Sequence, residues 1–362
     1  MNCYITRTAS FLPGPPVEND DIQRHIGHLD GEMEVKRKVM AMNGIQRRYY
    51  AQDQQQQPTH DVYELGASAV GQCLQNENNT SDISFLAAGT TYAPLAAPGI
   101  ASILHHRLQK HGLLNHPLEI SSHAGICSSA ATAMIAAIRG ITSGQHQAAL
   151  CVGAEMASAV TNAANIRPVD DRDQHTNVRN SQWFMSVFLR FMLSDGAGAV
   201  LLQNHPHPSQ MSFRINWTEA MSFANETPLC MKLDNRTALL SQDLAVLSRH
   251  LYPTADKFLS YAFKASNDTL DSYDVVLPHI SSFFFRRKFE RMIAAHCVAP
   301  EQTVPFWTDL ETSGNTGAAS IYIMLDHYVQ QQEIRDGQRI LLFVPESGQF
   351  NFVLVSLTAV AP

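Results

Sequence analysis

Two stretches of the chain carry the same order of apolar, small and turn-forming positions. In the first, a β-like run at 118–121 leads past Cys127 into 128–138, which is Ala-rich and helical in spacing. A Gly144-Gln145 turn then launches the apolar strand 148–153, which ends at Glu155. In the second, the chain passes Phe306 and Asn315 and enters a helical run at 317–328. There a Gly337-Gln338 turn launches the apolar strand 339–344, which ends at Glu346. Ala130-Ala131 and Ala318-Ala319 open the two helical runs, and each stretch is followed by a glycine-bearing turn and a hydrophobic strand, 200–202 and 350–357. Continuous apolar runs bounded by turns read as buried strands, and longer runs with 3.6-residue spacing read as helices. Repetition on this scale predicts one α/β fold built from two similar halves, 1–204 and 205–362.

Outside the repeats, the pattern predicts a strand at 3–9, a Pro-rich turn at 13–16 and a helix at 60–74. The stretches 156–191 and 204–271 read as irregular. The first holds Asp170, Asp171, Arg172 and Asp173; the second holds Pro206, Pro208, Pro228 and Pro253. Connections of that length in a compact fold usually serve as lids or binding walls. Residues 156–191, 213–230 and 90–98 are therefore the expected pocket walls.

Composition narrows the function. Hydrophobic residues make up 45% and charged residues 16% of the 362, enough for a sizeable core. A net charge of −7 argues against nucleic acid as the main partner, because phosphate binding needs a basic surface. There is no signal-peptide pattern and no run of roughly 18–20 apolar residues, so a cytoplasmic protein without a membrane span is expected. The six cysteines are widely spaced with no Cys-x-x-Cys, which predicts free thiols rather than a metal site or disulfide framework.

Cys127 stands between a strand and a small-residue helix. A helix N-terminus favours the thiolate, so Cys127 reads as a nucleophile; the alternative is a small buried cysteine. His279 follows the buried strand 275–277, where an imidazole can face a site or be structural. Asn315 occupies the repeat position equivalent to the Cys127 turn. Its amide can donate hydrogen bonds without titrating, or simply cap a helix.

Cys127, His279 and Asn315, in this order and in these contexts, resemble the β-ketoacyl-ACP synthase III branch of the thiolase superfamily. Gly44-Ile45-Gln46-Arg47-Arg48, Gly89-Thr90-Thr91, Val152-Gly153-Ala154-Glu155 and Ser194-Asp195-Gly196-Ala197-Gly198 extend the resemblance over nearly the whole chain. It implies an α/β thiolase fold, two duplicated βαβαβαββ halves in a five-layered αβαβα arrangement. It also implies roles. Cys127 would carry the acyl group as a thioester, and His279 and Asn315 would hold the incoming thioester carbonyl. The backbone N–H groups of Cys127 and Gly348 would form an oxyanion hole. No cofactor would be permanently bound; substrates would arrive on the phosphopantetheine of acyl carrier protein or coenzyme A. The family forms homodimers.

Three positions depart from the family pattern. His279 is followed by Ile280-Ser281-Ser282 instead of Gln-Ala-Asn. The Gly-rich run before the last strand is reduced to Glu346-Ser347-Gly348. A coenzyme-A-stacking tryptophan segment has no counterpart around residues 29–40. These features look more like the ketosynthase/cyclases that make dialkylresorcinols and the cyclohexanedione precursor of bacterial stilbenes. That resemblance implies Claisen condensation followed by ring closure, with Glu155 as a candidate base or a structural carboxylate. Arg286, Arg287, Lys288 and Arg291, and a second cluster at Lys36, Arg37 and Lys38, are candidate docking points for a carrier protein. The rival readings are a β-ketoacyl-ACP synthase III without cyclisation and a non-catalytic partner subunit.

Overall fold

The computed structural model describes residues 1–75, 77, 80–166, 182–298 and 303–362. The first half contains β1 (Tyr4–Phe11), two short strands β2 (Val17–Glu18) and β3 (Arg47–Arg48), and β4 (Ile83–Thr90), β5 (Glu119–Ala124), β6 (Ala148–Glu155) and β7 (Gly196–Gln203). Its helices are α1 (Ile22–Ile26), α2 (Glu32–Asn43), α3 (Val62–Cys73), α4 (Ile100–Lys110), α5 (Ser129–Thr142), α6 (Ser158–Thr161) and α7 (Gln182–Arg190). The second half contains β8 (Ser212–Ser222), a hairpin of β9 (Met231–Asp234) and β10 (Leu239–Gln242), then β11 (Val275–Pro278), β12 (Arg339–Pro345) and β13 (Asn351–Val360). Its helices are α8 (Leu244–Ser266), α9 (Arg286–His296), α10 (Leu310–Ser313) and α11 (Ser320–Gln331).

Nine strands form one sheet in the order β11-β12-β13-β8-β1-β7-β6-β4-β5. The repeat is visible in the pairing. In the first half β1 pairs antiparallel with β7, β7 antiparallel with β6, and β6 parallel with β4. In the second, β8 pairs antiparallel with β13, β13 antiparallel with β12, and β12 parallel with β11. The counterpart of β5 is reduced to a single parallel bridge between Phe306 and Val276. Pro305 lies beside it and has no N–H to extend a ladder. The halves join where Tyr4 and Ile5 of β1 face Arg214 and Phe213 of β8.

Side-chain alternation along the strands sorts the core into layers. In β4, Phe85 and Ala87 face one core while Leu86 and Ala88 face another. In β12, Ile340, Leu342 and Val344 share the core of Phe85 and Ala87, while Leu341 and Phe343 face a third. The shared core is filled by α5 and α11, so the two halves of the sheet enclose these helices. Helices α3 and α4 cover the outer face of the first half, and α8 and α9 that of the second. This is the αβαβα layering that the family resemblance implied.

Small residues make the middle layer thin. A Cβ on Gly89 would lie 2.5 Å from the Ala130 backbone nitrogen, and one on Gly153 would lie 2.8 Å from Ala130 Cβ. The Tyr322 hydroxyl donates to the Ala130 carbonyl at 2.7 Å and ties α11 to α5. Among the described residues no helix is long and apolar enough to cross a membrane.

The stretch 204–271 is not the irregular connection that its prolines suggested. It holds β8, the β9–β10 hairpin and the 23-residue α8, with Pro253 inside that helix. Leu247, Ala255, Phe258, Leu259 and Ala262 form its buried stripe. A proline within a helix removes one hydrogen bond, and here the apolar stripe outweighs that cost.

Candidate active site

Cys127 lies in the turn between β5 and α5, the first half's contribution to the middle layer. It lines two cavities. The first runs between α8 and α9, walled by Leu247, Leu251, Tyr252, Phe285, Phe289 and Met292. The second is walled by Tyr92, Val160, Leu189, Met192, Met231 and Leu240. Cys127, Gln242, Ser281 and Ser347 line both, so the cavities meet at the thiol.

His279 lines the first cavity and Asn315 the second, while a smaller space beside Ser320 is bounded by both. The structure therefore brings Cys127, His279 and Asn315 together. His279 is held by its N–H, which donates to the Phe343 carbonyl at 2.8 Å, and by Nδ1, 2.6 Å from the Ser320 hydroxyl. Its Nε2 is buried without a protein partner. Burial pushes the imidazole pKa down to about 4, with Asp309 opposing the shift, so the ring is neutral at pH 7. Asn315 is fixed through its backbone, donating to the Met192 carbonyl at 3.1 Å and accepting from Ser194 N–H at 2.9 Å. Its Oδ1 accepts from Gly317 N–H at 3.0 Å. This is an Asx-type turn bond rather than a helix cap, since the cap position of the following short helix is Thr316; it leaves the amide NH₂ as the donor end.

The electrostatics of Cys127 differ from the sequence expectation. The thiol pKa is raised well above its ordinary value by burial, then by Glu346 and Glu155. The helix N-terminus does not act alone, because Glu346 occupies it. Its Oε2 accepts from Ile126 N–H at 3.2 Å, Ser128 N–H at 3.0 Å and the Ser128 hydroxyl at 2.5 Å. Gly348, the second expected oxyanion donor, lines neither cavity, whereas its neighbour Ser347 lines both. A Cβ at Gly348 would lie 2.7 Å from Glu346 Oε1, so glycine there makes room for the carboxylate.

Glu155 ends β6 and lines the second cavity. Its Oε1 accepts from Thr91 N–H at 2.8 Å, the Thr91 hydroxyl at 2.6 Å and Ala318 N–H at 3.1 Å. Burial outweighs these bonds and lifts its pKa to about 7.

Of the expected walls, 90–98 contributes Thr91 and Tyr92, and 156–191 contributes Ala157, Val160 and Leu189, with 167–181 and their acidic cluster outside the described residues. Residues 213–230 line neither cavity; the β9–β10 hairpin, α8 and α9 do so instead. Gln242, Ser320, Ser347 and Glu346 were not singled out as site residues in the sequence. Glu346 and Ser347 left a signal, in the reduced run Glu346-Ser347-Gly348, whereas Gln242 and Ser320 left none.

Arg286, Arg287, Lys288 and Arg291 are exposed on α9. Arg286 stacks over Phe306 and pairs with Glu290, and Lys288 lies over Tyr252, a wall residue of the first cavity. The second cluster is not a surface patch. Lys36 is buried, donates to Gln23 Oε1 at 2.7 Å and lies over Phe191, because its position falls on the apolar side of α2 with Val35 and Val39. Arg37 and Lys38 are exposed. Among the described residues no group of three His, Cys, Asp or Glu could hold a metal ion.

Comparison with known proteins agrees with this architecture. Residues 65–207 match the β-ketoacyl synthase N-terminal domain, and residues 264–349 match the 3-oxoacyl-[acyl-carrier-protein] synthase III C-terminal domain. The β-ketoacyl-[acyl-carrier-protein] synthase III of Neisseria gonorrhoeae is 24% identical over 343 residues, 93% of each chain. Among solved structures, AbyA1, a tetronic acid condensing enzyme, superposes with a TM-score of 0.77 at 18% identity over 98% of this chain and 99% of that one. Cerulenin-bound OleA from Xanthomonas campestris gives 0.74 at 18% identity over 99% of this chain and 97% of that one. The fold matches that of these synthases, and the two matched domains are those of acyltransferase-type ketosynthases, which makes the chain an enzyme of that type. Over both matched regions the chain is similar to the β-ketoacyl-ACP synthase III-like ketosynthases.

Proposed function

We propose that this ketosynthase joins two acyl thioesters through an acyl group carried on Cys127, and that the condensed product then closes to a cyclohexanedione- or resorcinol-type ring. The observation that carries the reading is the meeting of two apolar cavities at one thiol, with His279 on one side and Asn315 on the other. Cys127 attacks the first thioester carbonyl, forms the acyl-enzyme and releases the carrier thiol. The second acyl thioester loses a proton, or carbon dioxide if it is malonyl-type, at its α-carbon. The resulting enolate attacks the Cys127-bound carbonyl, forms the carbon–carbon bond and expels the Cys127 sulfur. Negative charge builds on oxygen in both steps. Donors at Asn315, at neutral His279 and at the Cys127 N–H suit that demand. Glu155, in the second cavity with a pKa near 7, is the candidate base for ring closure.

The carrier would be an acyl carrier protein meeting the exposed Arg287 and Arg291 beside the first cavity, with coenzyme A as the other phosphopantetheine source. A homodimer and a cytoplasmic location belong to the same reading. The edge strand β5, exposed at most positions, is a suitable pairing surface for the dimer.

Incubation with mixed acyl carrier protein thioesters, followed by product analysis, tests the reading. A carbocyclic product supports it. A linear β-ketoacyl thioester as sole product removes ring closure and leaves the simpler synthase. Absence of any condensation product, with no acyl group on Cys127, favours a non-catalytic subunit.

A further inference from the structure

The nucleophile turn is held from across the molecule. Cys127 belongs to the first half, whereas Glu346 follows β12 in the second. One carboxylate oxygen collects Ile126 N–H, Ser128 N–H and the Ser128 hydroxyl, the groups on either side of Cys127 in sequence. Asn351 at the start of β13 adds a bond from its Nδ2 to the Ser128 hydroxyl at 2.7 Å. The Glu346 backbone N–H pairs with the Asn351 carbonyl at 2.8 Å, which fixes both side chains on one tight turn. Glycine at 348 leaves the space the carboxylate fills.

We propose that Glu346 is a positioning residue for the Cys127 turn, clamping it from the opposite half of the molecule and setting the charge that the sulfur feels. The proposal rests on the reading of Cys127 as nucleophile and adds a control on it. Backbone N–H groups at a helix N-terminus stabilise a thiolate when they point at it. Here those of Ile126 and Ser128 are spent on a carboxylate, which adds a negative charge of its own. The other titratable groups lining the two cavities, among the described residues, are Glu155 at the end of β6, His279 after β11, Tyr252 of α8 and Tyr92 after β4, and neither cavity is lined by Lys or Arg. With no cation to offset Glu346, the thiol stays protonated until a substrate or the imidazole alters its surroundings. The Cys127 N–H is not among the groups Glu346 accepts from; it interacts with the Cys127 sulfur itself.

The test is the pH profile of Cys127 alkylation by iodoacetamide, read by mass spectrometry of the Cys127 peptide, in wild type, Glu346→Gln and Ser128→Ala. Glu346→Gln keeps the shape and an oxygen acceptor but removes the charge. Its profile is expected to move about one unit toward lower pH, giving roughly tenfold faster labelling near pH 7. Ser128→Ala removes the shortest contact and leaves the carboxylate less satisfied, so its profile moves to higher pH; it serves alone if Glu346→Gln does not fold. Labelling of Cys127 with a profile that neither substitution moves, or moves with the opposite sign, overturns the role of Glu346. Failure of wild-type Cys127 to label at any pH removes the nucleophile reading itself, and the proposal with it.

Discussion

The hydroxyl of Ser320 lies 2.6 Å from Nδ1 of His279 and ties the imidazole to the first turn of α11. Because Nε2 has no other protein partner, this contact sets the ring's orientation and tautomer. Ser320→Ala is expected to lower the condensation rate about tenfold, the scale of one hydrogen bond to a reacting group. Acylation of Cys127 should change little. Single-turnover measurement of the two steps checks this; equal loss in both would contradict it.

Glu155 makes stability depend on pH. Its folded pKa of about 7 lies above its ordinary value of 4.5. The native state therefore binds a proton that the unfolded state does not between those values, and stability falls as pH rises through 7. Between pH 6 and pH 8 the loss from this group is about 1 kcal/mol. Glu155→Gln should lose that increment. Urea unfolding of both proteins at the two pH values measures it.

The close approach of β4 to α5 predicts a structural effect at the site. A methyl at Gly89 would meet the backbone of Ser129 and Ala130 at 2.5 Å, where no side chain can swing away. Gly89→Ala is expected to cost about 2 kcal/mol by overpacking. It should also slow Cys127 alkylation by shifting the start of α5. Urea denaturation and labelling rates report the two effects.

Ala255 lines the first cavity and Val160 the second. Ala255→Trp and Val160→Trp should each exclude a long acyl chain from one cavity only, lowering its kcat/KM at least about tenfold while sparing acetyl-sized groups. One variant should block long-chain transfer to Cys127; the other should allow transfer but block condensation. Identical effects of both variants on both steps would show that the cavities do not hold separate chains.

The architecture was legible where local pattern and packing agree. The paired Ala-Ala runs and Gly-Gln turns marked α5, α11, β6 and β12, because a thin middle layer admits only small residues at those contacts. Strand ends and the repeat singled out Cys127, His279 and Asn315, and the family resemblance grouped them as one site. Helix α8 was hidden by Pro253, whose local penalty says nothing of the apolar stripe that overrides it. Lys36 read as surface because its burial depends on Gln23 and Phe191, distant in sequence. The clamp on the nucleophile turn is a contact over more than two hundred residues, and periodicity carries no trace of such a pairing. Ser320 and Gln242 are ordinary polar residues until the fold sets one beside an imidazole and the other between two cavities.

The central claim is that Cys127 carries the acyl group. Intact-protein and peptide mass spectrometry after incubation with an acyl carrier protein thioester tests it most directly. The account predicts one added acyl mass, located on the Cys127 peptide and absent from Cys127→Ala. An unmodified Cys127 peptide, or an acyl group that persists elsewhere in Cys127→Ala, would contradict it.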